Sequence, residues 1–264
     1  MTDLTPLRIA MLSIHSSPIE KLGTRDTGGM SVYIRELARE IGRRGHRVDI
    51  YTRSPSRNAP AEMQIYPNVR LVHLRGGAGR GLERDALYPY LGDFFRALES
   101  TPQVQNRQYN LIHSHYWLSG WLGSWAAKRW SCPHVVTFHT LGIAKDTAAA
   151  GPPESRMRTA TEREVSRLCD RVLSSTGRDR QQLIEGYHAD PDKVRVVPCG
   201  VNLSLFRPAG RRAARKRLGL APDEPVALYV GRFDPVKGMD RLLEAIAQTD
   251  RSSRLQLVIV GGDG

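Results

Sequence analysis

The most constraining feature of this chain is the repeated alternation of short apolar runs with amphipathic stretches of helical period. Apolar runs at 7–14, 46–52, 69–74, 111–114, 134–138, 171–175 and 194–197 predict buried strands. Between them, 28–44, 90–98, 117–130, 154–168 and 178–187 predict helices. The first helix carries Tyr33, Leu37, Ala38 and Ile41 on one face and Arg35, Arg39, Glu40 and Arg43 on the other. Gly45 stands where a left-handed residue ends a helix. A strand, a helix and a further strand in that order predict a parallel sheet and an α/β fold. The rhythm restarts after a Pro- and Gly-containing turn, with a helix at 211–218, a strand at 226–230, a helix at 239–247 and a strand at 255–260. The expected organisation is a complete doubly wound, parallel-sheet domain over 1–205 and an incomplete second domain over 206–264. A doubly wound domain needs roughly 100–150 residues, which the second segment does not reach. Segments 54–68, 75–88 and 140–153 are expected to be loops, several following strand carboxyl ends, where open α/β sheets place ligands.

Composition narrows the class without naming a function. The apolar fraction of 40% suits a globular protein, and no run approaches the ~18 apolar residues of a spanning helix. The N-terminal residues lead into the first strand without a basic stretch or a cleavage site, so no signal peptide is expected. Three cysteines, Cys132, Cys169 and Cys199, are odd in number and far apart, which disfavours a disulfide framework or a zinc site and fits the cytoplasm. Against 27 acidic residues stand 39 basic ones, a formal charge of +12. Solvated arginine-rich faces, a phosphate-rich substrate and an anionic membrane surface all account for such an excess. Nucleic acid is not expected as a partner, because no recognition motif is present and the aromatics do not interleave with the basic residues.

Individual motifs each admit two explanations. Gly28 and Gly29, between the first strand and its helix, permit a diphosphate to approach the helix N-terminus, or form an ordinary turn. They do not make a dinucleotide fingerprint, since the Gly-x-Gly-x-x-Gly spacing is absent. Arg232 and Lys237 lie in GRFDPVKG after the strand at 226–230, placed for phosphate oxygens or simply solvated. His139 ends the strand HVVTF and is a reactive or a structural histidine. His113 and His115 share a strand face as a metal pair would, but no acidic or cysteine partner is near in sequence, so no metal is expected. Tyr116 and Trp117 suit core packing or a sugar-stacking platform equally.

Taken in order, DTGGMSVY from Asp26, HSHYWLSG from His113, TFHTLG from Thr137, PCGVN from Pro198 and GRFDPVKG from Gly231 resemble glycosyltransferase family 4. The resemblance runs over nearly the whole chain and is nearest to inositol-phosphate and sucrose-phosphate-forming members. It implies the GT-B fold of two Rossmann-like domains and retaining transfer of a hexose or N-acetylhexosamine. The implied donor is a nucleotide-sugar, a UDP-sugar, and no further cofactor or metal is implied. On this basis Gly28 and Gly29 lie against the donor diphosphate, Arg232 and Lys237 bind it from the second domain, and His139 sits beside the transferred sugar. A phosphorylated polyol or sugar acceptor is held by Arg84, Tyr116, Thr140 and Arg158, with Arg84 standing where relatives carry lysine. Peripheral membrane contact and a homodimer are left open.

The resemblance also implies a Glu-x7-Glu motif for the nucleotide ribose and donor sugar, which these residues do not contain. The chain as given is therefore expected to bind nucleotide-sugar poorly and to turn over slowly or not at all. The alternative function is a non-catalytic acceptor-binding remnant. The unfinished second domain is expected to expose strand edges and apolar faces.

Overall fold

A computed structural model describes residues 5–22, 27–77, 82–105, 108–143, 155–231, 233, 237–250 and 254–261. These fall into two compact units, one running to Cys199 and the other beginning at Gly200. The expected division after residue 205 lies within the exposed stretch that opens the second unit.

The first unit is built on β1 (Arg8–Leu12), β2 (Arg47–Arg53), β3 (Glu62–Tyr66), β4 (Val69–Leu74), β5 (Leu111–His115), β6 (His134–Thr137), β7 (Arg171–Ser174) and β8 (Val194–Val196). They form one eight-stranded sheet in the order β3-β4-β2-β1-β5-β6-β7-β8. Every pairing is parallel except β3 with β4, which departs from the expected all-parallel sheet. This edge strand falls inside the segment 54–68 expected as loop. Its first three residues are exposed, so it lacks the apolar run that marks a buried strand.

Alternate residues of β1 face opposite layers. Ile9 and Met11 pack with Ile34 and Ala38 of α1 (Gly29–Arg43), while Ala10 and Leu12 join the larger core on the other side. That core is covered by α2 (Leu91–Glu99), α4 (Tyr116–Trp130), α5 (Arg156–Leu168) and α6 (Gly177–Tyr187). A 3-10 helix, Arg84–Tyr90, and a short helix α3 (Pro102–Gln105) complete the layer. The α1 stripe is rotated from the expected one: Ser31, Ile34, Ala38 and Gly42 are buried, and Tyr33, Leu37 and Ile41 flank them. Small residues let the helix sit close, for a Cβ on Gly42 would lie 2.7 Å from the Pro67 carbonyl oxygen.

Chain order reverses between β1 and β5, because β1 leads outward to β2 on one side while β5 leads to β6 on the other. At such a switch point the loops after adjacent strands diverge and leave a crevice at their carboxyl ends. The second unit holds α7 (Arg211–Leu218), β9 (Val226–Val230), α8 (Met239–Ala247) and β10 (Gln256–Val260), with β9 and β10 parallel. Arg215 ties its α7 to the following turn by donating to the carbonyls of Ala221 (2.5 Å) and Glu224 (2.7 Å). Leu228, Val230, Leu243 and Val260 of this unit are exposed, as the expectation of uncovered apolar faces requires. Among the described residues, no helix is long and apolar enough to cross a membrane.

Candidate active site

The crevice is assembled from loops whose shapes are set locally. After β1, Ser13 Oγ donates to the Ser16 carbonyl at 2.6 Å, and Ser16 Oγ meets Ser31 Oγ of α1 at 2.7 Å. The Ile14 amide donates to Ser119 Oγ of α4 at 3.0 Å. These bonds fix His15, whose ring stands 4.5 Å from that of Tyr116. Burial, reinforced by the positive charges of Arg84, Arg158 and Arg53, drives His15 down to about 3, so it is neutral. His15 also lines an open cleft of about 1240 Å³ together with Ser17, Arg53, Arg57 and Arg75. That cleft lies beyond the carboxyl ends of β1, β2 and β4.

Tyr116 is the first residue of α4, and its φ of 75° lies in the left-handed region, an outlier for a bulky side chain. The turn lays its ring between two guanidinium groups. Arg84, from the start of the 3-10 helix, has its Cζ 5.2 Å from the ring centre, and Arg158 of α5 is 4.8 Å away. Arg158 is fully buried, and its Nε donates to Glu162 Oε1, one helical turn on, at 2.8 Å. Its Nη2 donates to the Thr140 carbonyl at 2.9 Å and to Thr140 Oγ1 at 3.1 Å. Arg84, Tyr116, Thr140 and Arg158, drawn from four separate segments, are thus one connected cluster. Glu162 secures the loop after β6, because its Oε2 accepts from the Gly142 amide at 3.0 Å and from the Tyr187 hydroxyl.

His139 also takes a left-handed conformation, with φ 64°. Its Nε2 is 3.0 Å from Nδ1 of His115, and the edge of the Tyr33 ring packs against it at 5.0 Å between centres. Burial lowers His139 to about 4, and His113, bonded to Thr137 Oγ1 at 2.9 Å, to about 3. Two strained residues at the ends of neighbouring strands are the kind of backbone feature that collects at functional sites.

Gly28 caps α1 and Gly29 opens it, and a Cβ on either would meet nothing within 4 Å. The first amides of a helix have no partner within it, and a helix start without side chains at these two positions suits close approach of an anion. Lys237 is exposed in the second unit, and Arg232 lies outside the described residues. Among the described residues, no group of His, Cys, Asp or Glu is arranged to hold a metal ion. His15, His115 and Glu162 are the participants not anticipated from sequence. Glu162 had a visible signal in its i+4 spacing from Arg158, and His115 in the strand face it shares with His113, though its bond to His139 was not foreseen.

A doubly wound sheet with a polar cluster at its switch point defines the first unit as a Rossmann-like domain, and the GT-B fold is shared with a solved sucrose-phosphate synthase. The chain belongs to Glycosyltransferase Family 4, whose model matches residues 27–205. Residues 210–264 match the model described as Glycosyl transferases group 1. It is 42% identical to the D-inositol 3-phosphate glycosyltransferase of Kineococcus radiotolerans, over 97% of this chain and 61% of the relative. The enzyme of the same name from Geodermatophilus obscurus is 41% identical over 97% of this chain and 59% of its own. Among solved structures, sucrose-phosphate synthase from Thermosynechococcus elongatus superposes with a TM-score of 0.89 at 32% identity, covering 98% of this chain and 63% of that one. The chain spans about three fifths of the length of the curated relatives it matches.

Proposed function

We propose that this chain carries the acceptor-binding part of a retaining glycosyltransferase, which moves a hexose or N-acetylhexosamine from a UDP-sugar to a phosphorylated polyol or sugar. The observation that carries the proposal is the cluster in which Arg84 and Arg158 flank the Tyr116 ring at 5.2 and 4.8 Å and Arg158 reaches Thr140. Two guanidinium groups, a phenol and a hydroxyl match the charge and hydrogen-bond demand of a phosphate monoester. The relatives named for D-inositol 3-phosphate make an inositol phosphate the first acceptor to test.

In the transfer itself, positive charge develops at the anomeric carbon and negative charge on the departing diphosphate. The leaving phosphate takes the acceptor proton on the same face, so the protein's contribution is positioning and stabilisation of charge. Gly28 and Gly29 are assigned to the diphosphate in the first unit, and Arg232 and Lys237 carry the same assignment in the second. His139 is placed beside the transferred sugar.

Because the acceptor cluster lies wholly in the first unit, the 264-residue chain itself can be titrated by calorimetry. A myo-inositol phosphate is expected to bind, and unphosphorylated inositol to bind far more weakly. Arg84→Ala removes a charge-assisted contact of about 1.5–3 kcal/mol, roughly a 10- to 100-fold rise in Kd. Equal affinity for inositol and its phosphate would refute the phosphate assignment.

A further inference from the structure

At the carboxyl ends of β5 and β6 three imidazoles form a chain. The ring of His113 is 4.2 Å from that of His115, which is 5.2 Å from that of His139. Only the second contact is a hydrogen bond, His115 Nδ1 to His139 Nε2 at 3.0 Å. Burial keeps both partners neutral at ordinary pH. One proton therefore occupies that contact, and it belongs to one ring or the other.

The two arrangements differ in what they leave over. If His139 donates from Nε2, His115 must carry its own proton on Nε2, a buried atom without a hydrogen-bond partner among the described residues. Among buried backbone groups an orphaned N–H is the rarer defect, and the same preference is carried over to the ring N–H. If His115 donates from Nδ1, its Nε2 is left as a bare lone pair. His139 then carries its proton on Nδ1, the nitrogen that no bond from the described residues occupies. The second arrangement moves the available N–H from a sealed position to one where a ligand can use it. The ring is held for that purpose from several sides. Its backbone is left-handed, Tyr33 packs edge-on, and His113 is fastened to Thr137, two residues before it.

We propose that His115 is a positioning residue that holds His139 as its Nδ1–H tautomer, so that His139 offers a hydrogen-bond donor, not a base, to an oxygen of the bound sugar. The sugar half of this statement rests on the placement of His139 beside the transferred sugar; the tautomer half does not. A neutral donor suits transfer in which the leaving phosphate takes the acceptor proton, since no side-chain base is then required.

Long-range proton–nitrogen NMR on the 264-residue chain with 15N-labelled histidine reads the tautomer directly, with His139→Gln identifying the His139 signals. At pH 7 the wild-type His139 is expected to show a protonated Nδ1 and a bare Nε2. In His115→Ala, Nε2 should gain the proton in part or in full. In His115→Asn, whose amide N–H replaces the Nδ1 donor, the wild-type pattern should return, which loss of packing alone would not produce. A wild-type His139 protonated on Nε2 overturns the proposal whatever the variants do, and so does an unchanged pattern in His115→Ala. Titration with UDP-sugar should shift the Nδ1 signal. At UDP-sugar concentrations where calorimetry shows the chain occupied, an unmoved signal with the tautomer as proposed would overturn the placement beside the sugar and leave the role of His115 standing.

Discussion

Arg158 shows how one residue serves structure and binding together. A guanidinium without solvent exposure is tolerable only with its charge matched, and Glu162, itself fully buried, supplies the match at 2.8 Å. The same carboxylate accepts from the Gly142 amide and the Tyr187 hydroxyl, so it joins α5, α6 and the loop after His139. Glu162→Ala is predicted to cost about 3–5 kcal/mol in urea unfolding, because it leaves a buried cation behind. Replacing both members, Arg158→Met with Glu162→Leu, should cost much less, since no charge is then stranded. A single variant within 1 kcal/mol of wild type would show that the pair does not anchor this loop. Tyr116 and His139 serve a related end, for each holds a left-handed backbone that only the surrounding packing can impose.

At the level of elements, glycines separate close packing from open approach. A Cβ on Gly123 of α4 would lie 2.5 Å from His134 Nε2, and that ring cannot retreat, being buried and bonded to Ser114 Oγ at 2.6 Å. Gly123→Ala is therefore predicted to destabilise by about 1–3 kcal/mol. Gly29→Ala meets nothing and should leave stability unchanged or raised by up to ~1 kcal/mol, while weakening nucleotide-diphosphate binding if the helix N-terminus is approached closely. Thermal melts and a UDP titration of both variants test the contrast; a destabilised Gly29→Ala would count against it. The sequence made the parallel strands legible because both their faces are buried, as in β2, where five of seven residues are inaccessible. β3 was hidden by its exposed residues, and the buried α1 stripe by Ser31 and Gly42, which pack through smallness, not hydrophobicity. The residues of the Arg84–Tyr116–Thr140–Arg158 cluster were visible through motif resemblance. Its supports were not, because His15 and His115 meet their partners only after strands 24 or more residues apart in sequence are paired.

Across the whole molecule, five of the eight histidines are held below their ordinary range: His113, His115 and His134, which are buried, and His15 and His139, which are partly so. Burial is the leading cause in each, as the charged form loses its hydration. The unfolded chain takes up protons on these groups near pH 6.5, while the folded chain does so only near pH 4 for His134 and His139 and near 3 for His15 and His113. Between those limits the unfolded state binds more protons, so stability must fall as pH falls. Each histidine that stays neutral in the folded state contributes a slope of about 1.4 kcal/mol per pH unit. Carboxylates act in a lower window: Glu40, held at about 2 by hydrogen bonds from Arg43 and Arg44, loses its pairing only below its ordinary value of 4.5. Urea unfolding at pH 7.5, 6 and 5 should therefore show a decline before carboxylate protonation begins, steeper than one proton can produce. His134→Gln should reduce that slope by about one proton even if it lowers stability overall. A flat profile from pH 7.5 to 5 would mean that these imidazoles accept protons in place, and the crevice would then gain positive charge as pH falls below about 6.5.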